Sequence, residues 1–163
     1  MKTNRTFKSI VAILVLLSFV VAVGFFLQAP TYGKVKKILE NDRDVLEEIN
    51  NILLSDENSY VSWNIYEKDV IACGPNMVDA QKITVRDDFL VLVEKLNPKR
   101  YHFVNKQNNY IEYRLWANMT TCVSLIYSPD SEPDIHKSEY DIVFELKRIN
   151  TTDWYYHKLK TDM

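Results

Sequence analysis

Apolar residues along this chain follow three patterns, and each predicts a different kind of element. From Ile10 to Leu27 the run is unbroken: 18 residues carry no charge, and only Ser18 and Gly24 interrupt it. A helix of that length rises about 27 Å, close to the hydrocarbon thickness of a bilayer. A segment apolar on every face needs cover on all sides, which a small domain does not supply. The pattern therefore divides the chain into a basic N-terminal segment (1–9), a transmembrane anchor (10–29) and one folded domain (30–163). A cleavable export signal has a shorter apolar core, roughly 7–15 residues, followed by a small-residue site. Ala22-Val23-Gly24 offers such a site, but Phe25-Phe26-Leu27 carries the apolar run past it, which favours retention over cleavage.

Beyond Pro30 the spacing becomes helical. Val35, Ile38, Leu39, Val45, Leu46, Ile49, Ile52 and Leu53 recur at three, four and seven residues and form one stripe, with Glu40, Asp44, Glu47, Glu48 and Asn51 elsewhere. Asp42 interrupts the clean seam a coiled coil requires, so the stripe is expected to pack on the protein's own sheet. A second helix is predicted where Val85, Phe89, Leu92, Val93 and Leu96 line up, with Thr84 as N-cap and Asn97-Pro98 as the stop. Asp87 and Asp88 in its first turn suit the helix dipole and need no catalytic explanation.

Elsewhere the period is two. "YVSWNIY" places Val61, Trp63 and Ile65 on one face, and "VIAC" follows as a short partner. "YHFVNK" and "YIEYRLWA" flank the turn signal Gln107-Asn108-Asn109, and then come "CVSLIYS", "YDIVFELKRI" and "WYYHKLK". In the fourth of these five strands Tyr140, Ile142, Phe144 and Leu146 are expected to face inward. After the membrane segment the order reads α-β-β-α-β-β-β-β-β. Short connections predict a mainly antiparallel sheet with both helices on one face, an α+β domain.

Charge narrows the function classes. Lys2, Arg5 and Lys8 precede the apolar run and all 22 acidic residues follow it, so 17 basic residues face 22 acidic ones beyond Leu27, a balance of −5. A mildly acidic domain lacks the electrostatic footprint of a nucleic-acid binder. Lysine and arginine near the two ends of the apolar run nearly cancel under the positive-inside rule. The short basic segment before a first apolar stretch still reads as an export signal. The N-terminus is thus expected in the cytoplasm and the domain outside, on a single-pass chain in the cell membrane.

One further likeness is carried by particular residues. "SLIYSPDSEP", Ser124 to Pro133, is followed some twenty-five residues later by "DWYYHKLK". This pair resembles a "YSPDG" turn and "WYYY" tail found in small, membrane-anchored, uncharacterised bacterial proteins. Ser131 stands where that turn has glycine, and His157 departs from the tail. The resemblance covers the C-terminal third, brings no known activity, and implies only an anchored protein of the bacterial cell envelope.

Candidate chemistry is sparse. Cys73 and Cys122 are the only cysteines; outside the cytoplasm they either form a disulfide, worth about 4 kcal/mol on the chain-entropy model, or remain two thiols that never meet. His102, His136 and His157 lie on separate elements, and no metal-ligand spacing, nucleophile elbow, C-x-x-C or phosphate-binding glycine loop occurs. Neither a metal nor a cofactor is expected. Asp130, Glu132 and Asp134 lack the distal glutamate and sixth-position glycine of a calcium loop and read as a solvated turn. The aromatic load stands out, with ten tyrosines and three tryptophans. Trp116, Tyr127, Trp154, Tyr155 and Tyr156 are candidates for a binding patch, because such rings combine apolar area with a polar tip. The alternative is that they pair across strands and fill the core.

Together these features predict a membrane-anchored, non-catalytic domain that binds an envelope partner or an incoming protein. Two rivals remain. One is a secreted small-ligand-binding domain. The other is a hydrolase, which would need Cys122 or Ser124 within hydrogen-bond reach of His102 or His157.

Overall fold

The helical stripe that begins at Val35 becomes α1, Tyr32–Ser55, and buries Val35, Leu39, Leu46, Ile49, Asn50 and Leu53. The computed structural model describes residues 28–55, 60–64, 69–73, 81–82, 87–96, 100–107, 109–135 and 137–162, together with 11, 13, 15 and 16; at 60, 69–73, 81–82 and 87–88 it describes the backbone alone. The second helix, α2, spans Asp87–Lys95. Its Phe89, Leu92 and Val93, with Leu96 just beyond its end, are buried as their spacing predicts.

Among the described residues eight strands form one sheet: β1 Tyr60–Asn64, β2 Asp69–Cys73, β3 Gln81–Lys82, β4 Phe103–Gln107, β5 Tyr110–Ala117, β6 Thr121–Tyr127, β7 Asp141–Arg148 and β8 Trp154–Thr161. Their order is β3-β2-β1-β4-β5-β6-β8-β7, and every pairing is antiparallel. The α+β architecture with two helices and an antiparallel sheet thus stands, with one strand more than the sequence pattern predicts. The addition, β3, has two residues, too few to show a period. Consecutive strands are not always neighbours: β7 runs to the edge of the sheet and β8 returns between it and β6.

Along β5 and its neighbours the faces separate cleanly. Trp63, Val104, Tyr113, Leu125 and Tyr156 sit opposite one another from β1 to β8 and belong to the main core with the helices. Polar bonds fasten α1 to this face. Buried Tyr113 donates from its hydroxyl to Asn50 Oδ1 at 2.6 Å and to the Leu46 carbonyl at 3.2 Å. Asp42, the residue that spoils a coiled-coil seam, accepts from the Tyr101 hydroxyl and from Arg100, each at 2.8 Å. The exposed ion pairs of α1, Lys36–Glu40 and Arg43–Glu47, add little by comparison.

Strand β7 corrects one prediction. An irregularity between Asp141 and Val143 shifts its register against β8. A bulge adds one residue to one side of a ladder and changes the alternation across it. Phe144 and Leu146 consequently lie half-buried on the sheet, whereas Tyr140 and Ile142 are 65% and 55% exposed and Asp141 is buried.

In the N-terminal run, Val11, Ile13, Val15 and Leu16 are helical and between 43% and 65% exposed. Apart from these four and Gln28 and Ala29, the anchor expected at 10–29 lies outside the described residues. Among the described residues no helix is long and apolar enough to cross a membrane.

Candidate functional site

Because Ile111 and Tyr113 turn toward the helices, Glu112 and Arg114 of β5 turn to the opposite face. Strand register brings polar side chains from four more strands to the same side: Ser62 on β1, Asn105 on β4, Ser124 on β6 and His157 on β8. The result is a row of polar groups across the sheet. Ser62 donates to Asn105 Oδ1 at 2.7 Å, and Asn105 Nδ2 reaches Glu112 Oε2 at 3.4 Å. Ser124 donates to Glu112 Oε1 at 2.5 Å, the shortest bond in the row. Arg114 completes the shell of the carboxylate, with Nη2 at 3.2 and 3.3 Å and Nε at 3.4 Å. Glu112 is 8% exposed and Ser124 wholly buried. A buried carboxylate requires this degree of compensation.

His157 sits directly across the strand pair from Ser124, where facing Cβ atoms are about 5 Å apart. Its ring is 6% exposed, stands edge-on to Phe144 at 5.4 Å, and neither nitrogen has a hydrogen-bond partner. Burial, the dominant influence, pushes its pKa down, with Arg114 acting in the same sense and Glu112 and Asp141 opposing. The ring is therefore neutral at pH 7. Cys122, also on β6, carries a free, half-buried thiol whose pKa burial pushes up. A thiol so placed is a poor nucleophile.

The geometry thus brings Ser124 and His157 together and then separates their chemistry. A nucleophile–base pair needs the hydroxyl to donate to the imidazole. Here the hydroxyl is committed to Glu112, and both imidazole nitrogens are enclosed. His102, whose pKa is lowered by burial and by Arg114, lies just before β4. His136 lies outside the described residues. Among the described residues no group of three or more metal-ligating side chains converges.

The remaining candidates are dispersed. The Cys73 backbone lies in β2 and Cys122 in β6, four strand positions apart. At about 4.8 Å per step that is about 19 Å along the sheet, well beyond the Cα separation of a disulfide. The sheet does not bring the two together. The five aromatic candidates are largely enclosed. Trp154, Tyr155 and Tyr156 are all buried, while Trp116 and Tyr127 are half-buried against the main core. Trp154 packs on Tyr113 and Tyr127 with centroids at 5.9 and 4.9 Å, and Tyr156 meets Tyr32 at 5.7 Å. Tyr155 does face the other way, into a second small cluster with Tyr110 and Ile126 that Ile135 and Leu146 cover. Asp130, Glu132 and Asp134 are exposed in the β6–β7 connection.

Sequence reading missed the Glu112–Ser124 row. Its signal was present in "YIEYRLW", where Glu112 and Arg114 share a face in a strand of apolar residues, but a single strand does not reveal what lies across from it. Away from this row, a cleft of about 540 Å³ between the helices is lined by Glu48, Asn51, Ile52, Val91 and Leu92. Comparison with protein-family models, curated proteins and solved structures finds no match.

Proposed function

We propose that this chain is a single-pass membrane-anchored protein whose α+β domain lies outside the cytoplasm and acts by binding another protein rather than by catalysis. The observation that carries the non-catalytic reading is the wiring of Ser124. Among the described residues, the site that brings Ser124, Glu112 and His157 to one face of the sheet uses the hydroxyl to stabilise a buried charge. The anchor reading is supported by the charge-free run Ile10–Leu27 and by the exposure of Val11, Ile13, Val15 and Leu16, apolar side chains that need cover in water. The likeness of the C-terminal third to anchored bacterial envelope proteins agrees with it. The burial of Trp154, Tyr155 and Tyr156 favours this reading over a secreted small-ligand binder.

The test is chemical cross-linking on intact cells of the native host with a membrane-impermeant reagent, followed by purification of the full chain. A discrete cross-linked protein species, with protease shaving removing the domain from outside, supports the reading. A domain protected from external protease, or hydrolytic activity abolished by Ser124→Ala without loss of folding, contradicts it.

A further inference from the structure

Strand β7 is the last in the sheet: β8 satisfies one of its edges, and no described strand pairs with the other. At the ends of that edge the Asp141 amide donates to the Ser138 carbonyl at 3.2 Å and the Arg148 carbonyl accepts from the Tyr32 hydroxyl at 3.4 Å; the stretch between them is a template for another strand, which proteins usually blunt by shortening, kinking or unbalanced charge. Here the irregularity at Asp141/Val143 kinks only the beginning, leaving Val143–Arg148 regular. The charges in that stretch are balanced, with Glu145 and Lys147 on the same face of the strand and 2.9 Å apart in an exposed ion pair.

We infer that β7 pairs antiparallel with β7 of a second copy of this chain, centred on Leu146, to form one continuous sheet. The register follows from symmetry. A two-fold axis perpendicular to a sheet keeps each side chain on its own face, so the axis must pass through a residue position rather than between two. Centring on Glu145 or on Lys147 sets like charges against each other across the axis. Centring on Phe144 would call on Asp141, which is buried and already accepts from the Ser138 amide at 2.6 Å. Centring on Leu146 sets Glu145 opposite Lys147 of the second copy, twice, and extends each internal ion pair into a four-charge row. Leu146 then meets its own counterpart on the other face, beside the Tyr110–Ile126–Tyr155 cluster it already packs against. The inference is independent of the membrane reading.

The test is sedimentation velocity on the full chain in detergent micelles, comparing the native chain with Glu145→Lys, Lys147→Glu and the double exchange. The native chain should self-associate. Each single reversal replaces two favourable contacts by two repulsive ones and should weaken association roughly tenfold or more, and the double exchange should restore it. Melting temperatures identify any variant that has simply lost its fold. As a second measurement in vesicles, Leu146→Cys, with Cys73 and Cys122 changed to serine, should cross-link to itself on oxidation, whereas Ile142→Cys should not. A native chain that stays monomeric and shows no Leu146→Cys cross-link overturns the proposal. So does association indifferent to single reversal, or weakened by it and not restored by the exchange.

Discussion

Replacing Ser124 by alanine distinguishes a structural hydroxyl from a catalytic one. In an active site, removing a nucleophilic hydroxyl commonly leaves stability unchanged or raises it, because such groups are held for chemistry rather than for folding. Here the hydroxyl is the nearest donor to Glu112, at 2.5 Å against 3.2–3.4 Å for Arg114 and Asn105. Ser124 is wholly buried, so solvent cannot replace the lost donor without rearrangement. Hydrogen bonds to charged groups contribute about 1.5–3 kcal/mol, and a loss near 2 kcal/mol is expected. For a domain of this size that is about 6 °C in melting temperature. Urea unfolding of the full chain in detergent, followed by tryptophan fluorescence, reads it directly, since Trp63 and Trp154 are both buried. The midpoint should fall with an unchanged slope. Combined with Glu112→Gln, the cost should be non-additive by about 1 kcal/mol or more. A Ser124→Ala protein as stable as the native chain would refute the reasoning and return Ser124 to the list of possible nucleophiles.

Other perturbations follow from the same contacts. Tyr113→Phe keeps the ring packing but strips Asn50 Oδ1 of its donor inside the core; it should cost about 1–3 kcal/mol, and a simultaneous Asn50→Leu should recover part of that in the same unfolding assay. Leu46→Ala at a position with no exposure should cost about 2–5 kcal/mol. The folded-state pKa of His157 lies below the ordinary value of 6.5. As the pH falls through that value, the unfolded chain therefore takes up a proton that the folded chain refuses, and stability declines. His102 is shifted in the same direction, so His157→Leu should reduce the slope of stability against pH between 7 and 5 without abolishing it. An unchanged slope would show that the ring is not enclosed. Cys122, its thiol pKa raised by burial, should alkylate at least about tenfold more slowly at pH 7.5 than after unfolding, as read by intact mass.

How much of this was legible depended on the range over which each feature is encoded. The α1 stripe and the Phe89–Leu96 stripe are local periodicities that survive folding, so the helices and their buried faces could be read directly. The strands could be read for the same reason, down to the turn at Asn150, where φ is +56°, a conformation asparagine tolerates. What could not be read was non-local. Alternation assigns a face only while the ladder is regular, and the irregularity at Asp141/Val143 reversed the expectation for Tyr140 and Ile142. Three consecutive rings on a strand must point to both faces of the sheet. All three are buried because α1 covers one side of β8 and Ile135 and Leu146 cover the other. The disulfide question turned on strand order, which places three strands between β2 and β6. The Glu112–Ser124 bond joins residues twelve apart on neighbouring strands, and it emerges only when the register of β5 against β6 is known.

The central claim, an anchored binding domain, is tested most directly by the intact mass of the native-host protein recovered from membranes washed in alkaline carbonate. The account predicts a mass in the carbonate-resistant pellet that still includes the apolar run Ile10–Leu27. A protein found in the soluble fraction, lighter by the first two dozen or so residues, would contradict it and turn the search toward soluble ligands.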